Sequence, residues 1–193
     1  DFRPVNGQLY ALGSTSRLYT INTSSGAATM VGAGAFTPIL TGTSYGFDFN
    51  PTVDRIRVVG NTGQNLRLDP NTGLVAASDL VLNPGTPNVS AAAYTNNFAG
   101  ATTTSLFVID VATDKLYLQN PPNNGVLTEV GALGINAEAA NGFDIGSTTG
   151  IAYAIFTVGT TNALYSINTT TGMATKLLDF PKNTRGFTVG LGF

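Results

Sequence analysis

Short strand patterns, with apolar and polar positions in alternation, recur along this chain at a regular spacing. The clearest series begins at Leu18, Leu66, Leu116 and Leu164, so that its members start 48, 50 and 48 residues apart. Alternation with a period of two indicates half-buried β-strands. A period in the forties in a strand-rich chain is typical of propeller blades.

Three further series accompany the first. They comprise β-branched and aromatic runs upstream (8–12, 55–59, 105–109 and 150–155), a Gly-Phe-Asp motif before these (46–51 and 142–145, cut short at 1–4 and degenerate at 92–96), and a strand after the Gly turn (28–31, 74–77, 127–130 and 173–178). Each unit therefore predicts four antiparallel strands, which make one blade. The predicted fold is all-β, a small β-propeller of four blades with four strands each. Five blades, or an irregular open array, is the alternative.

The predicted organisation is a single propeller domain over residues 1–193, with approximate repeats 1–45, 46–91, 92–141 and 142–185 and a closing strand, 186–193. Residues 185–189 are a surplus copy of the Gly-Phe-Asp strand. In one interpretation this copy closes the ring by completing the blade that the N-terminus begins. In the other, residues 1–4 are left free to extend the sheet of a neighbouring subunit. In this scheme the four leucines of the first series occupy equivalent buried positions.

Composition excludes several kinds of chemistry. The chain has no His and no Cys, which removes thiol nucleophiles, histidine bases and zinc sites built on these residues. Its net charge is −2 and it has no basic stripe, so no nucleic-acid partner is expected. No apolar run is long enough to predict membrane insertion. Charged residues make up only 10% of the chain, and this neutral, Thr- and Asn-rich surface favours an extracellular location.

Several blocks of sequence resemble a known family. They are Gly46-Phe47-Asp48-Phe49-Asn50-Pro51, Asp54-Arg55-Ile56-Arg57-Val58-Val59 and Gly63-Gln64-Asn65-Leu66-Arg67. The chain is similar over nearly its whole length to a bacterial family known only as a numbered domain of unknown function. The resemblance implies a secreted or cell-surface, propeller-like domain. It implies no activity, so it supplies no catalytic residues.

Two groups of side chains are candidates for binding. Asp48 and Asp144 stand at equivalent positions of the Gly-Phe-Asp motif, and Asp1 is the third copy. If this motif forms the innermost strands, three carboxylates approach the central channel, where they predict a cation site, most plausibly for Ca²⁺. The competing interpretation is that each Asp caps a turn or accepts backbone N–H bonds. No other cofactor is expected.

A second group is formed by Arg55, Arg57 and Arg67, which cluster in the second unit beside Asp54 and Asp69. Arginine forks bind carboxylates and other anions, so the group predicts an anion or partner patch. The competing interpretation, which we favour, is a set of paired charges that fixes neighbouring loops.

These observations favour an extracellular structural or binding module without catalysis, which associates with itself through strand or loop faces into a surface assembly or filament. A propeller that binds or hydrolyses carbohydrate at its loop face is the alternative. Enzymatic function is disfavoured, because the only glutamates, Glu129 and Glu138, do not recur as the carboxylate pair that a glycosidase needs.

Overall fold

The computed structural model describes residues 1–193 and consists of four antiparallel sheets. Fifteen strands form them: β1 Leu9–Gly13, β2 Arg17–Ile21, β3 Ala28–Val31, β4 Tyr45–Asn50, β5 Arg55–Gly60, β6 Asn65–Leu68, β7 Val75–Ser78, β8 Val89–Tyr94, β9 Leu106–Asp110, β10 Lys115–Gln119, β11 Leu127–Ala132, β12 Ala139–Ile145, β13 Ala152–Val158, β14 Thr161–Ile167 and β15 Ala174–Asp179. One 3₁₀ turn, Pro122–Asn124, interrupts them. No helix is long enough to cross a membrane.

Each sheet is one blade, so the prediction of a four-bladed, all-β propeller is confirmed. The sheet orders are β1-β2-β3, β4-β5-β6-β7, β8-β9-β10-β11 and β12-β13-β14-β15. The innermost strand of the first blade is reduced to residues 1–3. Phe2 pairs with Leu9 as an isolated antiparallel bridge, and the N–H of Tyr10 donates to the carbonyl of Asp1. The N-terminal segment therefore takes the position of the innermost strand in its own blade, and it is not free to join another subunit.

Three interfaces between consecutive blades hold the buried core. Tyr10, Leu18 and Ile56 belong to the cluster between the first and second blades. Val59, Leu106 and Val108 lie between the second and third, and the largest cluster, of 14 buried residues, lies between the third and fourth. No cluster and no hydrogen bond joins the strands of the fourth blade to those of the first.

The recurrent turn before each outer strand fixes the register of the repeats. The carbonyl of Asn22 accepts the N–H of Gly26, and Asp69 with Gly73 and Asn168 with Gly172 form the same contact. Counted from these turns, Leu18, Asn65, Leu116 and Leu164 share one register position. Tyr19, Leu66, Tyr117 and Tyr165 share the next one.

The expected equivalence of the four leucines is therefore wrong at two positions. Leu66 is buried, but it occupies the register of the tyrosines, because the second unit is one residue shorter before its turn. Leu164 has the expected register but is only partly buried, whereas Leu18 and Leu116 are fully buried. Leu18 and Leu116 face the next blade along the chain, whereas Leu164 lies in the last of the four blades.

Candidate functional site

Three aspartates from three different blades meet on the propeller axis. Asp48 lies in β4, Asp144 in β12, and Asp1 in the innermost segment of the first blade. One carboxylate oxygen from each lies within 4.8 Å of the others. Asp48 and Asp144 are each 1% exposed, and Asp1 is partly buried. The structure thus brings together all three carboxylates that the repeated motif singled out.

Asp1 and Asp48 each also accept a backbone N–H bond from the innermost strand of the blade that follows, and Asp144 accepts one from the C-terminal segment. Asp1 Oδ2 accepts the N–H of Phe49 at 3.1 Å, and Asp48 Oδ2 accepts the N–H of Tyr94. Asp144 Oδ2 accepts the N–H of Val189 at 2.7 Å. The aspartates therefore tie consecutive blades together at their inner edges, which is the backbone-bonding role considered for them from sequence.

The surplus copy of the motif, residues 186–189, occupies a fifth position in this series. A Cβ on Gly46 would collide with Ala92 of the following blade, and one on Gly142 would collide in the same way with Phe187. The segment therefore stands to β12 as β8 stands to β4. Thr188 takes the place of the aspartate, and its hydroxyl oxygen lies 2.7 Å from Asp144 Oδ2 and 3.0 Å from Asp1 Oδ1, within hydrogen-bond distance of both. The two chain ends thus lie side by side.

The third blade departs from the series, because Ala93 stands where the others have an acid. That blade supplies an amide instead. The side chain of Asn97, which is 2% exposed, places its Nδ2 at 3.4 Å from both carboxylate oxygens of Asp1. Its Oδ1 is buried without any hydrogen-bond partner.

Burial dominates the electrostatics of this cluster. It raises the pKa of Asp48 well above the ordinary value of 3.8, and the neighbouring charge of Asp144 raises it further. Burial likewise raises the pKa of Asp144, against the opposing effect of the hydrogen bond from Thr188. The α-amino group of Asp1 is the cationic group nearest to these carboxyls, and burial lowers its pKa. Asp48 and Asp144 therefore hold a proton more readily than a free aspartate does.

The arginine group is arranged differently from an open patch. Arg57 and Arg67 face each other across β5 and β6, and both bind Asp79, through nitrogen–oxygen distances of 2.6 and 2.8 Å. Arg55 is separate, on the rim, where it pairs with Asp69 at 3.4 Å. The structure thus brings two of the three arginines together, around a carboxylate of the chain itself.

Arg57 is the centre of a buried polar network between the second and third blades. Its side chain is 1% exposed, and it donates to Tyr94 Oη, Asn65 Oδ1 and Asn123 Oδ1. Each of its three guanidinium nitrogens donates to an acceptor within the protein. This arrangement matches the paired-charge interpretation, in which the arginines fix neighbouring loops.

Sequence analysis missed four residues that complete these two sites: Asn97, Thr188, Asp79 and Asn123. Only Thr188 carried a usable signal, because alignment of the surplus motif places it at the aspartate position. The other three lie in loops that do not recur among the repeats. Their roles depend on how neighbouring blades meet.

The fold and the repeated innermost motif define a β-propeller, with a cluster of buried carboxylates where its blades converge. Residues 1–189 match the family described as a domain of unknown function, DUF4394, and the chain belongs to that family. No curated protein of established function matches it.

Solved structures resemble the chain in fold alone. A chain in the nidogen/laminin complex matches with a TM-score of 0.60 and 12% identity, over 89% of this chain and 61% of that one. The Dos1 propeller matches with a TM-score of 0.50 and 15% identity, over 94% of this chain and 45% of that one. This chain therefore spans less than two thirds of the length of each.

Proposed function

We propose that this protein is an extracellular structural module without catalytic activity, and that it associates with copies of itself. The observation that carries the proposal is the pair of faces at the two ends of the blade series. Each resembles one half of the interface that joins consecutive blades, and neither has a partner blade among the four. A second copy would supply that partner, with its first blade packed against the fourth blade of its neighbour.

The residues at the shared register positions support this pairing. Leu116, in the third blade, faces the fourth blade. Tyr165, in the fourth blade, faces the third, and both lie in the contact between the two. At the end of the series, Leu164 has the same register as Leu116, but it belongs to none of the three core clusters and is partly exposed. At the beginning, Tyr19 has the same register as Tyr165, and it too is partly exposed and outside the core clusters. A leucine and a tyrosine that meet inside the chain are thus repeated on its two free faces.

The turns at the outer edges of the blades also differ between the interfaces inside the chain and its first blade. The turn at Gly172 packs so closely on Gly131 of the preceding blade that a Cβ on either glycine would collide with the other's backbone or with Thr171. The turn at Gly73 packs on Val31 and Gly32 in the same way. The equivalent turn of the first blade, at Gly26, has nothing within 4 Å of a Cβ. It is free to meet an outer strand from another copy.

The outer strand of the fourth blade offers that surface. Leu177 and Leu178 of β15 are 49% and 51% exposed, and the strand's two charges, Lys176 and Asp179, pair with each other at 2.6 Å. Little charge would therefore have to be desolvated on association. An exposed apolar edge of this kind favours contact with another protein surface.

The absence of catalysis and the extracellular location rest on composition and on the family resemblance. The chain lacks His and Cys, and its buried carboxylates are engaged by backbone N–H groups of adjacent blades. A charged fraction of 10% is far below the roughly 25% of ordinary domains. A neutral surface of this kind suits a bacterial secreted protein that packs into an assembly.

Sedimentation across a concentration series, with electron microscopy of the same samples, tests the proposal. We expect the native chain to form regular assemblies, and Leu178→Lys to sediment as a monomer with an unchanged melting temperature. Val53→Lys is the matched control, since Val53 is 55% exposed in the turn between β4 and β5, away from both end faces. It should assemble like the native chain.

A native chain that stays monomeric at every accessible concentration would contradict the proposal. So would equal effects of the two lysine substitutions, because the contact would then not involve β15. A monomer that retains a glycan on an array would support the carbohydrate-binding alternative.

A further inference from the structure

We propose that the three axial carboxylates, together with the side-chain oxygen of Asn97, bind one divalent cation, and that this cation is Ca²⁺. The site would lie where the innermost strands converge, and it would link three blades through a single ion. It is independent of the proposed self-association, which uses the end faces.

The spacing of the carboxylates fits a single ion. Calcium takes oxygen ligands at about 2.3–2.6 Å, so two ligands of one ion lie at most about 5 Å apart. The three oxygens of Asp1, Asp48 and Asp144 lie within 4.8 Å of one another. Their backbone hydrogen bonds hold these side chains in place and leave further lone pairs on the oxygens. The Thr188 hydroxyl, bonded to two of the three acids, adds another oxygen at the same point.

Asn97 provides an independent indication of a binding site beside the carboxylates. Its carboxamide is buried beside Asp1, yet its Oδ1 contacts no donor in the protein. A buried acceptor without a partner is destabilising, because its desolvation is not compensated by a hydrogen bond. Rotation of the amide by half a turn would direct this oxygen toward the carboxylates, where a cation would satisfy it. The blade that lacks the aspartate, at Ala93, would thus contribute its ligand through Asn97.

The charges around the cluster also favour a bound cation. No Arg or Lys side chain forms a salt bridge or hydrogen bond with Asp1, Asp48 or Asp144. The α-amino group of Asp1 is the single nearby cation, and it donates to the carbonyl of Tyr10 at 3.0 Å. A ligand set made only of carboxylate, amide and hydroxyl oxygens favours Ca²⁺ over transition metals, which prefer nitrogen or sulfur.

Calorimetric titration of the metal-stripped chain with calcium chloride tests the site, and the melting temperature provides a second readout. We expect one ion per chain and a rise in melting temperature, because a ligand of the native state stabilises it. Asp48→Asn should weaken binding at least tenfold. Asp69→Asn is the matched control, since it makes the same charge change in a turn where the other repeats have Asn22 and Asn168. It should bind calcium like the native chain.

A second variant keeps the test decisive if Asp48→Asn does not fold. Asn97→Asp adds a carboxylate at the proposed ligand position, so it should bind calcium several-fold more tightly than the native chain. No binding at millimolar calcium, or weaker binding by Asn97→Asp, would overturn the proposal. So would a fall in melting temperature on acetylation of the N-terminus that calcium does not reverse, because the α-ammonium would then be the counter-ion of the acids.

Discussion

Leu116 and Leu164 occupy the same register of the third strand in neighbouring blades, yet only the first is buried. Leu116 is 0% exposed within the cluster between the third and fourth blades, and Leu164 is partly exposed on the last blade. The comparison teaches that a repeat position is buried by the blade beside it, and that its own sequence pattern does not decide this.

The second blade extends the comparison, because Asn65 stands at the same register. Asn65 is 2% exposed, and it bonds to Arg57 and to the carbonyls of Leu80 and Pro122 in the following loops. One interface thus uses a polar network where the next one uses leucine. Buried polar groups of this kind stabilise a fold only when their hydrogen bonds are complete. The two solutions fill one geometric position in adjacent blades.

Replacement of the two leucines should give the largest difference in stability. Leu116→Ala removes packing from a closed core, so it should lower the free energy of unfolding by about 2–5 kcal/mol. Leu164→Ala should cost about 1 kcal/mol, since part of that side chain already contacts water. Urea unfolding of dilute, monomeric samples measures both. Equal costs would mean that the end face of the fourth blade is covered in the monomer.

The glycines of the outer turns provide a smaller but better matched contrast. Gly26 and Gly172 have φ values of 72° and 82°, so alanine is strained to a similar degree at both, by about 1 kcal/mol. Only Gly172 packs on the backbone of the preceding blade. Gly172→Ala should therefore cost about 2–4 kcal/mol and Gly26→Ala only about 1 kcal/mol. Thermal melts of the two variants measure the difference, and similar melting temperatures would contradict close packing at Gly172.

Much of the fold follows from local signals in the sequence. The Asn22, Asp69 and Asn168 turns recur, and alternating apolar strands flank them, so the number of blades could be read from the chain. The register of Leu66 could not be predicted in this way. The second unit is one residue shorter before its turn, yet its strand sequence still aligns with those of the other units. Burial of Leu164 was also beyond local reasoning, since it depends on whether another blade follows.

The candidate site was predictable only where it repeats. Asp48 and Asp144 share a motif, and convergence of innermost strands then brings them together. Asn97 has no counterpart in the other blades, so no pattern marks it. Asp79 is likewise unmarked, although it joins Arg57 to Arg67. Its position depends on the path of the loop after β7, which the repeats do not share.

The pH dependence of stability should distinguish the axis from the arginine network. Burial, and then the charge of Asp144, raises the pKa of Asp48 in the folded chain above its ordinary value of 3.8. The folded state therefore binds the proton more tightly than the unfolded state does. Without calcium, stability is fully present below that ordinary value and falls as the pH rises through the raised one. Asp79 behaves in the opposite way: although burial opposes this, hydrogen bonds from Arg67 and Arg57 lower its pKa, so its contribution is lost only at more acid pH.

Chemical unfolding of the chelator-treated chain between pH 4.5 and pH 6.5 measures this effect. We expect the free energy of unfolding to decrease across that range in the native chain, and to decrease less in Asp48→Asn, which keeps the hydrogen bonds but not the charge. Burial lowers the pKa of the α-amino group of Asp1, so its effect on stability has the opposite sign, and the comparison of the native chain with Asp48→Asn at each pH separates the two effects. Asp69→Asn, at a surface turn, should keep the native slope. If Asp48→Asn also keeps the native slope, contacts within the chain already neutralise the carboxylates on the axis. Their negative charge would then be balanced as fully as the charges in the network around Arg57.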